Sequence, residues 1–414
     1  MKVLLVSMYF PPAGGGGVQR PLKFATHLPA LGIETHVLAP DDPKWVHRDD
    51  DLVAPTQAWV HRVRYLGPKG RLPAEELHGL TGVARAGRKT ALTFRRTLVP
   101  DENVTWNLTA IPAAIRIVRR EKIDVVITTS PPISVHLVGA AVQRATNARW
   151  IADLRDSMVA NPHRRVESAL VRAKERTGEA VARIVARRAD AVVGVSEPIS
   201  DEMRALGAAR VETIPNGCDF EDFAGLEYTP SPRLRITHTG SFFGRRSPRA
   251  ILEALAGSDV DAVLRFVGDF RAADRAWAAE LGLDDRLELH PYLPRGEVLA
   301  IQKNSEALLL LIPESGGRGR AVLSAKLFEY LAAERPILAA VPPDGAAADV
   351  VRETGAGAVV APDDVEGLRS ALAALAAQHR AGALNGSVLS GEARERLSRR
   401  KRTEELAELI RSVA

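Results

Sequence analysis

The chain has 414 residues, too many for one ordinary domain and comfortable for two of about 200 each. With 46% hydrophobic and 26% charged residues it has the balance of a globular protein, which excludes a disordered or fibrous chain. The formal charge of +5 hides an asymmetry: residues 1–215 carry 31 Lys+Arg against 22 Asp+Glu (+9), and residues 216–414 carry 25 against 29 (−4), so the first half suits an anionic partner unless its arginines are merely solvated.

Residues 1–10 lack a basic leader region and a small-residue cleavage site, and they run straight into Pro11-Pro12. Lys2–Ser7 therefore reads as a first strand. After it comes Tyr9–Val18, with four consecutive glycines ahead of a helix over Gln19–Leu31. Glycines let backbone N–H groups close on an anion, and a helix start adds partial positive charge, which makes Gly15 and Gly16 candidate ligand contacts. No Gly-Lys-Ser/Thr and no acidic ribose ligand follow, so this is neither a Walker loop nor a dinucleotide fingerprint; a plain flexible turn is the other reading. Thr35–Ala39 is the second strand. Asp41–Val104 is too long for a simple loop and is expected to hold helices bordering an acceptor cleft. Its basic stretch Arg85–Arg96, with Leu92, Phe94 and Leu98 among and just beyond the charges, fits an anionic membrane surface and a solvated helix face equally well.

Beyond it, strands Asp124–Thr129, Arg149–Ala152, Ala191–Val195 and Val211–Ile214 alternate with helices Ile111–Glu121, Ser134–Ala145, Val166–Arg188 and Pro198–Leu206. Pro215-Asn216-Gly217 and the proline-rich residues up to Pro232 mark a join. Cys218 is the single cysteine, so no intrachain disulfide can form and a reducing compartment fits; the expected location is cytoplasmic. Strands Leu234–Thr239, Ala262–Val267, Leu287–Leu289, Ala307–Leu311, Ile337–Ala340 and Gly357–Val360 then alternate with helices Pro248–Gly257, Arg271–Leu281, Pro294–Lys303, Ser324–Ala333, Gly345–Thr354 and Val365–Gln378. The longest apolar stretches, such as Ala307–Pro313, are far short of the roughly 20 residues that span a bilayer. Gly391–Val413 reads as one charged helix. The alternation predicts two consecutive α/β units, each doubly wound around its own parallel sheet.

In such sheets ligands gather at the carboxyl ends of the strands. Thr239–Pro248 follows a strand and opens a helix, and Gly240 with Arg245 and Arg246 makes a candidate diphosphate clamp, because guanidinium binds phosphate oxygens in a two-pronged way. The segment Gly316–Leu331 is a glycine-rich loop entering a helix that Ser324 is placed to cap. The amides around Leu323–Lys326 and the Lys326 ammonium can hold a diphosphate there. Glu329 sits among Leu327, Phe328, Tyr330 and Leu331, where an idle carboxylate is costly; a carboxylate at that place can accept both hydroxyls of a ribose.

The run from Ser324 through Glu329 to Ala333, followed by Pro336-Ile337-Leu338-Ala339, resembles the donor-binding helix of family-4 retaining glycosyltransferases. Ile214–Asp219, Gly240–Arg246 and Val267-Gly268-Asp269 lie in the family's order. Thr129-Ser130-Pro131-Pro132 with His136, and Asp153–Asp156, resemble the branch acting on envelope sugars and related glycoconjugates. The resemblance covers nearly the whole chain. It implies a GT-B fold, two Rossmann-like domains facing across a cleft: an acceptor-side domain over 1–215, a nucleotide-sugar domain over 216–392, and a terminal helix over 393–414 crossing back to the first. It also implies a nucleotide-diphosphate sugar as co-substrate, retention of anomeric configuration, and no obligatory metal or other cofactor.

Carried over by position, Glu329 matches the second glutamate of the family's E-x7-E motif, the ribose ligand, while the first falls on Ala321 and is absent; Glu314 replaces it only if its loop folds back. Arg246 stands at the family's phosphate-binding lysine, and Ser241 at an arginine for which Arg245 is the substitute. Tyr292 and Leu293 fall where backbone groups pair with the base, and His136 where the family contacts the donor sugar. Asp153, Arg155 and Asp156 are acceptor-side candidates beside a salt-bridge reading, as is Asp101, with Trp106 either beside it or in the core. Lys326 with Arg245 or Arg246 would stabilise the leaving diphosphate. The expected partners are a nucleotide-sugar donor, an unidentified acceptor and, at the periphery, an anionic membrane at the inner face. Nucleic acid is not expected, because no motif appears and aromatics do not interleave with the basic residues. A sugar-nucleotide 2-epimerase and an inactive nucleotide-sugar-binding protein remain open as alternatives, the second suggested by Ala321 and Ser241.

Overall fold

The computed structural model describes residues 1–42, 48–68, 87, 90, 95, 97–159, 169–242, 245–314, 316–386 and 388–414. They form two compact units. The first comprises the described residues between Met1 and Ile214 together with Thr403–Ala414, and the second comprises those of Pro215–Arg402.

In the first unit, strands β1 (Lys2–Ser7), β2 (Glu34–Pro40), β3 (Trp59–Val63), β4 (Val125–Ser130), β5 (Arg149–Leu154), β6 (Ala191–Gly194) and β7 (Val211–Thr213) make a sheet in the order β3-β2-β1-β4-β5-β6-β7. In the second, β8 (Leu234–Thr239), β9 (Ala262–Val267), β10 (Leu287–His290), β11 (Ala307–Leu311), β12 (Ile337–Ala340) and β13 (Gly357–Val360) give β10-β9-β8-β11-β12-β13. Every neighbouring pair is parallel. Both orders reverse direction once, between β1 and β4 and between β8 and β11, and at such switch points the loops diverge to leave a ligand crevice.

Central strands such as β1, β11 and β12 are largely apolar because both faces of each sheet are covered. Successive side chains alternate between faces: Val3, Leu5, Val125 and Ile127 enter one core of the first unit, and Leu4, Val6 and Val126 the other. Leu406, Ala407, Leu409 and Ile410 complete the first of these cores.

Three expectations are corrected. Asp41–Val104, expected to hold helices, is helical at the described Gly87, Thr90, Arg95 and Thr97, but it also contributes the unforeseen β3, which pairs with β2 in the register His36↔Trp59. An edge strand with one covered neighbour needs no continuous apolar run, so Trp59-Val60-His61-Arg62-Val63 gave a weak signal. The helix expected over Gln19–Leu31 ends at His27 and continues as a 3-10 turn over Pro29–Leu31, since Pro29 has no N–H to continue the ladder.

The single helix expected over Gly391–Val413 is two, Gly391–Leu397 and Arg399–Val413. Ser398 between them is extended because Cys218 bridges it: the Cys218 N–H donates to the Leu397 carbonyl (2.7 Å) and the Arg399 N–H to the Cys218 carbonyl (2.9 Å). Arg399 then pairs in the interior with Asp219 at 2.8 Å. Gly217 is required at this crossing, since a Cβ there would lie 2.6 Å from the Arg399 Cα. The basic stretch Arg85–Arg96 lies, apart from residues 87, 90 and 95, outside the described residues.

Candidate functional site

At the switch point of the second unit, β8 ends at Thr239 and the chain turns through Gly240 (φ 114°), whose N–H donates to the Val267 carbonyl at 2.6 Å. A Cβ on Gly240 would stand 2.4 Å from the Lys326 Cε and 2.7 Å from its Nζ, so glycine is what lets the lysine chain lie across the strand end. Lys326 is on the first turn of the helix Ala325–Ala333, which Ser324 caps by accepting the Lys326 N–H at 3.4 Å. Burial, reinforced by the Arg246 guanidinium and opposed by Glu329, pulls the Lys326 ammonium down to about 7.

Arg246 is buried, donating through Nε to the Leu311 carbonyl at the end of β11 (3.2 Å). Arg245 is exposed; Phe243 and Gly244 before it lie outside the described residues. Ser241 donates to Asp269 (3.0 Å), which closes the loop after β8 onto the loop after β9. Two cations thus converge where β8 and β11 part, with Glu329 the carboxylate that opposes the Lys326 shift. Below them His238 donates from Nδ1 to the Leu309 carbonyl (2.8 Å), and burial, with Lys326 and Arg246 adding to it, holds its imidazole neutral.

Glu329 does not sit idle. Its Oε1 accepts from Arg295 at 2.6 Å and its Oε2 from Gln302 at 3.3 Å. Arg295 also pairs with Asp222 at 3.0 Å; burial opposes its charge, but Glu329 and Asp222 together more than offset this and raise its pKa. The Gln302 amide reaches on to Thr239 at 3.0 Å, tying the carboxylate to the end of β8. Arg295 and Gln302 were missed in the sequence because 34 and 27 residues separate them from Glu329; the one available signal was a helix opening Pro294-Arg295 directly after Tyr292-Leu293. Tyr292 and Leu293 are half-buried there. Leu323 is buried, and its carbonyl accepts from Asn216 at 3.2 Å. Glu314 turns back to accept from the Gly317 N–H, within its own loop.

A cavity of about 490 Å³ lies to one side, lined by Glu314, Arg320, Asp344, Asp363 and Asp364 among others. Four carboxylates against one guanidinium, itself paired with Asp344 at 2.9 Å, make it a poor home for a diphosphate. The cationic strand ends are the better candidate. Among the described residues no group of three or more His, Cys, Asp or Glu is placed to hold a metal ion, and no helix is long and apolar enough to cross a membrane.

The switch point of the first unit is built differently. Asp153, at 1% side-chain exposure, is paired with the equally sealed Arg20 at 2.7 Å and also accepts from Thr129 at 2.7 Å. Arg20 donates in addition to the Ile214 carbonyl (3.0 Å). Arg155 donates to the carbonyls of Ser130 (2.7 Å), Pro131 (3.2 Å) and Gly17, so one guanidinium ties the glycine loop to the end of β4. Asp101 accepts from the N–H and hydroxyl of Ser134, both at 2.8 Å; burial raises its carboxyl against the pull of these bonds. Asp156, Gly15 and Gly16 are exposed, and Trp106 is fully buried. His136 is wholly buried at the start of the helix His136–Ala145. Arg20, the counter-charge that settles Asp153, was not singled out in the sequence because nothing marks an arginine behind a glycine loop as inward-facing.

The glycosyl transferase 4-like domain matches residues 15–217, and glycosyl transferases group 1 matches residues 229–404. Among solved structures, sucrose-phosphate synthase from Thermosynechococcus elongatus is 16% identical with a TM-score of 0.69, over 100% of this chain and 98% of that one. HepE of Anabaena, in complex with UDP-glucose, is 14% identical with a TM-score of 0.68 over 100% of both chains. A TarM variant of S. aureus, in complex with UDP and other ligands, is 10% identical with a TM-score of 0.64 over 99% of each. At these identities the likeness is one of fold. No curated protein matches the chain in sequence. With matched domains spanning residues 15–217 and 229–404, over two parallel sheets of this order, the chain belongs to the GT-B glycosyltransferases, related to the 4-like and group 1 families, which act on nucleotide sugars.

Proposed function

We propose that the chain moves a sugar from a nucleotide-diphosphate donor to an acceptor with retention of configuration, and that the strand ends of the second unit hold the leaving diphosphate. The observation that carries this reading is Lys326 laid across Gly240 at the switch point, close enough to Arg246 for that guanidinium to lower the lysine's pKa. The amides of the Ser324-capped first turn add donors aimed the same way. As the bond from the anomeric carbon to the phosphate oxygen breaks, charge builds on that oxygen and these groups stabilise it. The acceptor's oxygen bonds to the carbon on the same face, and its proton passes to the departing phosphate oxygen. Glu329, steadied by Arg295 and Gln302, takes the ribose hydroxyls.

Replacing Lys326 by alanine tests the assignment: kcat for sugar transfer should fall about 10²–10³-fold, the usual cost of one such donor. A fall below threefold, with nucleotide affinity unchanged by calorimetry, removes it. HepE and TarM were each solved with UDP or a UDP sugar, which supports a first screen of UDP, GDP and ADP by thermal shift. On the acceptor side, the +9 charge of residues 1–215, from 31 Lys+Arg against 22 Asp+Glu, supports peripheral binding to an anionic membrane surface at the cytoplasmic face. Co-sedimentation with anionic but not neutral vesicles is the expected result, and no binding at low salt ends that part of the proposal.

A further inference from the structure

His136 is sealed in the first unit with its Nε2 lacking a partner, while its Nδ1 lies 2.8 Å from the Thr128 hydroxyl. That hydroxyl is fixed from its other side by the indole N–H of Trp150, also at 2.8 Å. Indole N–H only donates, so the Thr128 oxygen accepts from Trp150 and has one proton of its own to place. Thr128 is fully buried, and the other group at its oxygen is His136 Nδ1. Were Nδ1 protonated as well, two donors would meet on one oxygen and the hydroxyl proton would be stranded in a dry interior. The satisfied arrangement runs one way: Trp150 N–H to Thr128 oxygen, Thr128 O–H to His136 Nδ1. The packing is made for it, because a Cβ on Gly139, one turn along the His136 helix, would come 2.1 Å from the Trp150 Nε1.

We infer that Thr128 and Trp150 are positioning residues that lock His136 as the neutral Nε2–H tautomer, so that its Nε2 can donate a hydrogen bond and cannot accept a proton. Burial lowers the imidazole to about 3, with Arg155 adding to the effect and Asp153 opposing it, so the ring stays uncharged throughout the physiological range. A hydroxyl or sugar oxygen that meets Nε2 finds a fixed N–H. The consequence, which rests on the proposed sugar transfer, is that the acceptor's proton does not leave through His136.

The tautomer is read on the full chain without substrate, from long-range proton–nitrogen spectra of protein labelled with 15N-histidine. His136 should show a protonated Nε2 and an unprotonated Nδ1, unchanged from pH 5 to 8 and retained in T128S. In T128V, which keeps the shape and loses the hydroxyl, the signature should become mixed and kcat/KM for sugar transfer should fall about tenfold, with T128S restoring it. A protonated Nδ1 in the parent protein overturns the inference, and so does a pH–rate limb between 5 and 8 that disappears in H136Q. If the spectra show the expected tautomer but no nucleotide sugar is consumed, the tautomer assignment stands and the reading of the reaction falls.

Discussion

The two units share a sheet order, to which the first adds β7 at one edge, but arm their switch points in opposite ways. In the first, charge is spent internally: Asp153 on Arg20, Arg155 on three carbonyls, and Asp101 on Ser134. In the second, Arg246 lies close enough to Lys326 to lower the lysine's pKa further below its burial-depressed value. A sheet order fixes where a ligand can go, while the balance of charge at the strand ends decides what kind. A saturated end presents neutral hydrogen-bonding groups and suits hydroxyls; an end with surplus cation suits a diphosphate.

The contrast can be broken by substitution. Arg20→Met strands the Asp153 carboxylate in the interior and should cost about 3–5 kcal/mol of stability, measured by urea unfolding. A loss under 1 kcal/mol would mean the first unit's charges are not structural. Glu329→Ala should instead spare stability and weaken nucleotide binding by about 1.5–3 kcal/mol in calorimetry, the range for a hydrogen bond to a charged group. If stability drops and affinity holds, Glu329 serves Arg295 and not a ribose.

Acidity sharpens the comparison further. Free Lys326 titrates near 7, and an adjacent diphosphate raises that value, so the complex takes up a proton when it forms above pH 7. Affinity should therefore be full on the acid side of the lysine's titration and decline by up to about tenfold per pH unit above 7. Lys326→Arg, charged at every accessible pH, should flatten that decline; a decline that persists assigns the titration to another group. The smallest effect expected is on folding. Removing a half-desolvated ammonium in Lys326→Met should leave stability unchanged or raise it by about 0.5–1 kcal/mol, whereas the same loss of charge at Arg20 is severe.

Much of this frame was legible in the residues. Lys2–Ser7, Leu234–Thr239, Ala262–Val267 and Ala307–Leu311 read to the residue, because short β-branched and leucine-rich runs between helical segments mark strands. Ser324 as cap, and Lys326 in the helix's first turn, were legible because local geometry sets them. What was hidden depends on distant chain. β3 belongs to an edge, where apolar pattern is optional. The partners of Glu329 and Asp153 come from 34 and 133 residues away, and nothing near either carboxylate announces them. The break at Ser398 has no proline or glycine of its own; its cause is Cys218, far back in the chain.

The hydrophobic interior of the first unit includes Leu406, Ala407, Leu409 and Ile410. A ribosome makes those residues only after the second unit has been synthesised in full. The earlier-born half must therefore wait, with an oily groove uncovered, while the later-born half emerges and folds. Chaperone dependence during synthesis, and aggregation of fragments that stop short of residue 403, are the natural costs of that ordering.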